Sequence, residues 1–369
     1  MKFGVFYELQ LPRPWTERSE LDLYEQCLEQ IEIADRAGYD YVWAVEHHFL
    51  EEYSHCSAPE VFLGAASQRT SRIRLGHGVI QLPTNHPVRV AEKVSTLDLL
   101  SRGRVEFGMG EGATLLELEP FGQPVDEKRE VFEEAVKAVM PMFADGRTEF
   151  RGKYFDVPER NVLPKPVQKP HPPLWLACSR VETAEQAARW GFGSLGFAFV
   201  EAEKAREWVE RYYDAYCTAF EPLADYEPNP NVAMVAGFMC AETDEIARER
   251  AAGWTFFAYM LGYYARFGSI EPGVDIWEKY LAWRESPQAQ VILENGLVGS
   301  PATIRARLRD YRAAHIDQII LLVQAGRTLH PHICESLELF ASEVMPEFTA
   351  DDPDHQAWKA ERLGLGVRL

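Results

Sequence analysis

Positive charge is scarce in this chain: 38 Lys and Arg stand against 57 Asp and Glu, a net charge of −19 over 369 residues. Without a dense basic run it would be repelled by nucleic acid and by anionic membranes, so neither is expected as a partner. No apolar run reaches the length needed to span a bilayer, and the opening MKFGVFYELQ turns polar too soon for a signal peptide. The six cysteines, Cys27, Cys56, Cys178, Cys217, Cys240 and Cys334, include no CxxC pair. In a chain this long they read as reduced thiols of a cytoplasmic protein, not as a disulfide framework. There is no GxSxG elbow, no P-loop and no cysteine in a nucleophile signature, which leaves covalent hydrolase chemistry without support. Repeats of solenoid length, low-complexity tracts and Pro/Ser linkers are missing too, and a single domain over 1–369 is expected.

What is present is an alternation of strand and helix patterns. KFGVFY is a short, nearly continuous apolar run, as in a strand buried on both faces. Ser19 with Asp22 has the spacing of a capping box; Tyr24, Cys27, Leu28, Ile31 and Ala34 then share one helical stripe that Gly38 ends. YDYVWAVE, IRLGHGVIQLP and RVEFGMG read as the next strands, with helices APEVFLGAASQRT and PVRVAEKVSTLDLLS between them. PLWLACS, FGSLGFAFV, NVAMVAGFMCA and IDQIILLVQ complete eight strands, alternating with helices such as VETAEQAARWG and PHICESLELFASEVM. Eight strands joined through helices favour an α/β fold of one closed (β/α)8 TIM barrel over an open doubly wound sheet. Two stretches interrupt the repeat. Residues 146–173 read as a hairpin followed by a proline-rich crossing segment, and 263–301 as an insertion long enough to be a mobile lid.

In such barrels chemistry sits where strands end, and the most crowded strand end is VWAVEHHFLEEYSHC, residues 42–56. As a metal site it offers His48, Glu51 or Glu52, and His55, but the spacing matches no HExxH-type pattern, so no metal is expected. A histidine acting as general acid or base fits better, and His47 is the candidate. GMGEG, 108–112, falls one residue short of a GxGxxG fingerprint; its glycines, Gly110 among them, read as a tight turn or as backbone that lets a flat ligand come close. In ACSRVET, 177–183, Ser179 and Glu182 have capping-box spacing at a helix start, a ready anion site with Arg180 and Thr183 nearby. Tyr7, Phe49, Tyr53 and Phe197, at or near strand ends, outline an aromatic, apolar substrate pocket.

Taken together, MKFGVFY, AGYDYVWAVEHHF, LGHGVIQLPTNHPVRVAEKVSTLDLLSRGRVEFGMG, GKYFDVPERNVLPKPVQKPHPPLWLACS and the ending VGSPATIRARL through LELFASEVMPEF resemble the bacterial luciferase-like family of flavin-dependent monooxygenases. The resemblance implies a TIM barrel that binds FMN as FMNH2 supplied by a separate flavin reductase, with O2 as co-substrate. Oxygen would add at the flavin C4a, and the resulting hydroperoxide would oxidise a small organic substrate. It implies His47 as the catalytic histidine and a non-proline cis peptide at Gly78–Val79 beneath the flavin ring. The phosphate would lie at Cys178, Ser179, Arg180 and Thr183, and the protein would be a homodimer. At GMGEG, relatives can carry a cysteine and an arginine where this chain has Gly110 and Glu111, so Arg180 is the candidate for the missing positive charge. Two alternatives use the same fold: a deazaflavin (F420)-dependent oxidoreductase, and a flavin-binding protein without catalysis.

Overall fold

The computed structural model describes residues 1–112, 114–197, 202–349 and 352–364. Eight parallel strands, β1 (Lys2–Tyr7), β2 (Tyr41–Ala44), β3 (Arg74–His77), β4 (Val105–Gly110), β5 (Leu174–Cys178), β6 (Gly193–Gly196), β7 (Val232–Cys240) and β8 (Gln318–Gln324), pair in chain order. β8 pairs back onto β1 from Lys2 opposite Gln318 onward, and the sheet closes into the expected barrel. Buried on both faces, these strands carry few polar residues, and helices cover the outside. At the N-terminal end of the barrel Trp43 packs edge-on against Trp175, whose indole N–H donates to the buried Glu106, itself paired with Arg74. That plug fills the bottom of the barrel and leaves the C-terminal mouth for chemistry.

The helix Ser19–Ala37 buries Cys27, Leu28, Ile31 and Ala34 and ends at Gly38, whose φ of 102° is the left-handed value that favours glycine. Its start differs from the expectation. The Ser19 hydroxyl accepts from the Thr16 N–H and so stabilises the turn before the helix, and no side chain caps the helix itself. The Ser179–Glu182 capping box is likewise not formed: the helix Val181–Trp190 is preceded by Arg180 in extended conformation, with no side-chain cap. A crossover helix not read from the sequence, Lys128–Phe143, joins β4 to the hairpin Thr148–Arg151/Asp156–Arg160.

The stretch 263–301 is helical rather than an irregular loop. It continues a helix that begins at Ala252 and ends at Phe267, then forms helices Ile276–Arg284 and Pro287–Asn295. A short strand, Leu297–Gly299, then pairs with the end of β7. The Ala252–Phe267 helix packs on the 46–56 loop: Phe257 stacks on Tyr53 with ring centroids 5.4 Å apart, and the Tyr264 hydroxyl donates to Glu51 O at 2.7 Å.

Candidate active site

The strand β1 alternates between two environments. Phe3 and Tyr7 pack outward, on Phe340 and Phe62 of the helical layer. Gly4 and Phe6 face inward, where a Cβ on Gly4 would touch Gln318 and Trp43 and the Phe6 ring meets Phe197 at 5.5 Å. The same parity turns Glu8, the first residue past β1, into the mouth. Tyr7, expected in the substrate pocket, therefore belongs to the layer between strand and helix; Phe6 and Glu8 occupy the inner side.

Three residues past the end of β2, His47 is fixed by its backbone N–H donating to Cys56 O at 2.9 Å, and the Tyr53 ring lies edge-on to the imidazole at 5.4 Å. Its ring is held between two buried carboxylates. Nδ1 is 2.8 Å from Glu117 Oε1, and Nε2 is 3.3 Å from Glu8 Oε1. Glu117 also accepts from Gln81 Nε2 at 2.8 Å, from the Thr114 hydroxyl at 3.0 Å and from the His48 N–H at 3.3 Å. Burial pushes Glu8 up to about 7, against the pull of His47. Burial also opposes a charge on His47, but the carboxylates of Glu8 and Glu117 outweigh it and raise the imidazole to about 9. Glu117 is buried as well, yet the His47 contact and the Gln81 and Thr114 donors bring it down to about 2.

These shifts have a sign in stability. Glu117, lowered from 4.5, contributes stability that is fully present above about pH 4.5 and is lost as pH falls towards 2. His47, raised from 6.5, contributes stability that is present below 6.5 and is lost as pH rises through 9. Glu8, raised from 4.5, contributes stability that is present below 4.5 and is lost as pH rises through 7. Denaturant titrations between pH 3 and 6 are expected to show a steeper acid loss in the wild type than in Glu117→Gln. Equal slopes would contradict the Glu117 assignment.

The remaining polar residues of the loop have structural partners. Glu46 accepts from the Gln81 N–H at 2.9 Å and from Asn85 Nδ2 at 2.9 Å, and it meets His48 Nε2 at 3.1 Å, tying β2 to the turn after β3. His55 pairs with Glu20 and packs on Trp15, and Cys56 is buried. Among the described residues no group of three or more His, Cys, Asp or Glu is placed to hold a metal ion. Phe49 lies at the rim, half exposed, against His48 and Phe121, while Tyr53 is buried between His47 and Phe257.

The Gly78–Val79 peptide is cis. Val79 then leans over Gly110, where an added Cβ would lie 2.5 Å from Val79 Cγ2 and 3.8 Å from Ala177 Cβ. The ends of β3, β4 and β5 thus bring Val79, Gly110 and Ala177 together. On β5, Ala177 takes the inward position and Cys178 the outward one, sharing parity with Leu174 and Leu176. The Cys178 thiol is fully buried, pushed up to about 12 by burial, and donates to Leu176 O, so its side chain does not reach the mouth. Ser179 and Arg180 are exposed at the helix start, and Thr183 is half-buried one turn on. Glu111 is charge-paired with Arg129 Nη1 at 3.2 Å, so its carboxylate carries its own counter-ion.

Sequence reasoning missed Glu8, Gln81, Glu117 and Ala177. A signal for Glu117 was available: Thr114 and Glu117 have T-x-x-E spacing at the start of the short helix Leu115–Leu118, where the Thr114 hydroxyl caps by accepting from the Glu117 N–H.

Comparison with known proteins places this geometry. The family model for luciferase-like monooxygenases matches residues 1–318. The oxygenase component of a flavin-dependent trigonelline monooxygenase from Acinetobacter baylyi is 25% identical over 363 residues, 96% of this chain and 98% of its own length. The crystal structure of the monooxygenase RslO1 from Streptomyces bottropensis superposes with a TM-score of 0.76 at 27% identity, covering 94% of this chain and all of that one. A coenzyme F420-dependent tetrahydromethanopterin reductase from Methanopyrus kandleri, 20% identical with a TM-score of 0.67 over 94% of this chain and 99% of its own, shares the fold. A closed barrel with a carboxylate-clamped histidine at its C-terminal mouth, matched along most of its length by one family model, is a member of the luciferase-like monooxygenase family.

Proposed function

We propose that this protein is the oxygenase of a two-component system: it takes reduced FMN from a separate reductase and, with O2, oxygenates a small apolar organic substrate. The observation that carries the reading is His47 held by Glu117 and Glu8 at the mouth of a barrel of this family. The residues present fit a flavin. Gly78, Val79, Gly110 and Ala177 would hold the flat ring system on a surface where a side chain at position 110 would displace Val79. Ser179, Arg180 and Thr183 would hold the phosphate at a helix start whose first-turn N–H groups are free of a side-chain cap. Bound reduced FMN would supply the electrons that activate oxygen.

The chain's own part is positional and protonic. His47 gives or takes a proton beside the reacting atoms, for which an imidazole is suited. Tyr53, Phe257 and Phe197 provide apolar surface that keeps water from them, and residues 263–301 serve as the lid above. Cytoplasmic location and a homodimer belong to the same reading.

Anaerobic titration with reduced FMN, followed by mixing with 18O2 and a panel of apolar ketones, aldehydes and terpenes, tests it. Saturable FMN binding and a product carrying one labelled oxygen atom are expected. Arg180→Met should weaken FMN binding at least about tenfold, roughly 1.4 kcal/mol; an unchanged affinity would remove Arg180 from the phosphate site. Binding of F420 in place of FMN, with hydride transfer and no label in product, would replace the oxygenase reading with the deazaflavin one. The family's shared fold makes that the rival to measure, although this acidic chain shows no basic set for a polyglutamate tail.

A further inference from the structure

The two carboxylates around His47 are not equivalent. Glu117 is saturated: one oxygen receives Gln81 Nε2, the His48 N–H and His47 Nδ1, and the other receives the Thr114 hydroxyl. An ionised carboxylate only accepts, so Nδ1 carries a hydrogen in both charge states of the ring, and Nε2 is the nitrogen left to titrate. Nε2 faces Glu8. The Nε2–Oε1 separation is 3.3 Å, within ion-pair reach, yet Oε1 has no hydrogen-bond partner and Glu8 is only 1% exposed. The distance and the missing hydrogen bond agree if the two groups are aligned past each other rather than along a bond. A buried carboxylate oxygen with no donor is costly unless a proton or a bound group satisfies it.

We propose that Glu8 is a positioning and proton-holding residue for His47: the two share one proton across the gap between Nε2 and Oε1, and Glu117 fixes the ring that makes the exchange possible. In the forward step the proton leaves Nε2 for Glu8, and the imidazolium–carboxylate pair becomes neutral imidazole and neutral carboxylic acid. The return step restores the pair, with no electron moved and no exchange with bulk water. Among the described residues, the ionisable groups facing this pair are Glu117 from the short helix after β4, and Glu46, Tyr53 and Cys56 from the loop after β2. Burial raises both Tyr53 and Cys56 above their ordinary ranges, so neither competes for the proton at neutral pH.

The use of this shared proton in turnover rests on the oxygenase reading; its existence does not, and the test separates them. Flavin-free protein labelled with 15N-histidine and 13C-glutamate is titrated by NMR. In the wild type, His47 Nε2 and the Glu8 carboxyl should respond over the same pH intervals, with hydrogen retained on Nδ1. Glu8→Gln should lower the His47 midpoint by at least about one pH unit, a tenfold change in proton affinity, with the Nδ1–H form unchanged. Glu8→Asp, which keeps the charge but retracts it, should give an intermediate value. Should Glu8→Gln fail to fold, the wild-type titration still decides. A Glu8 carboxyl that titrates alone in the ordinary carboxylate range overturns the proposal, as does an unmoved His47 midpoint in folded Glu8→Gln. In the loaded enzyme Glu8→Gln should shift one limb of the pH–rate profile; a uniform loss at every pH would mean that Glu8 is structural only. A failed oxygenation assay with the NMR response intact would sink the proposed reaction and leave the proton pair standing.

Discussion

His47→Ala is expected to bind reduced FMN within about threefold of the wild type and to turn over at least about a hundredfold more slowly, the scale of positioned acid–base assistance. Binding should survive because the proposed floor and phosphate site, Gly78, Val79, Gly110 and the helix start at Val181, include no atom of the imidazole. Folding should survive as well. Glu117 loses one of its four donors and keeps Gln81, Thr114 and the His48 N–H. The backbone N–H of residue 47 still reaches Cys56 O. What disappears is the imidazole whose Nε2 faces the buried Glu8 carboxylate. Anaerobic flavin titration gives the affinity and single-turnover kinetics the rate. A rate within about tenfold of the wild type, roughly 1.4 kcal/mol in the barrier, would show that His47 does not carry the proton.

Why His47 was legible and its partners were not is a matter of range. His47 lies just past an apolar run, and strand ends are where barrels place chemistry, so local pattern suffices. Glu117 is 70 residues further on, and Glu8 follows another strand; only closure of the barrel brings them to the same imidazole. The two misplaced side chains share a different cause. Tyr7 against Glu8, and Cys178 against Ala177, are one-residue errors of parity. In a half-solvated strand, polar alternation would reveal which residues face inward, but KFGVFY and LWLAC are covered on both faces and carry no such alternation. The fold was easier for the same reason: runs of that kind, separated by helical stripes, can only be parallel strands with helical crossovers. The helix Lys128–Phe143 went unread although Val131, Ala135, Val136, Val139 and Phe143 stand at helical spacing and are buried, because Pro141 in its last turn disguises it. The absent capping boxes show the limit of a short motif. Spacing alone says nothing about whether a hydroxyl has a better partner, as Ser19 does in the Thr16 N–H.

Gly108→Ala is expected to be the most damaging small substitution in the barrel. β3 pairs with β4 through Leu75–Val105 and Gly76–Glu106, and pairing resumes at Ile80–Met109 and Gln81–Gly110. Residues 77 to 79 therefore lie opposite only 107 and 108, and the extra residue turns the His77 carbonyl in over Gly108. A Cβ at position 108 would lie 1.9 Å from that oxygen, which belongs to the backbone and has no rotamer to escape into. Relief requires moving residues 77–79, and with them Val79 at the proposed flavin floor. Overpacking of this kind costs about 3 kcal/mol or more. With an unfolding entropy of about 2.1 cal/mol/K per residue, that lowers the melting temperature by at least about 4 °C, and FMN affinity should fall with it. Gly262→Ala is the control, since Gly262 is exposed in the helix Ala252–Phe267 with nothing within 4 Å of an added Cβ. There alanine is favoured by about 1 kcal/mol as the better helix former, and the melt should stay level or rise. A Gly108→Ala protein that melts within about a degree of the wild type would mean that the His77 carbonyl yields freely, and the floor could not then be the rigid surface on which the proposed flavin site depends.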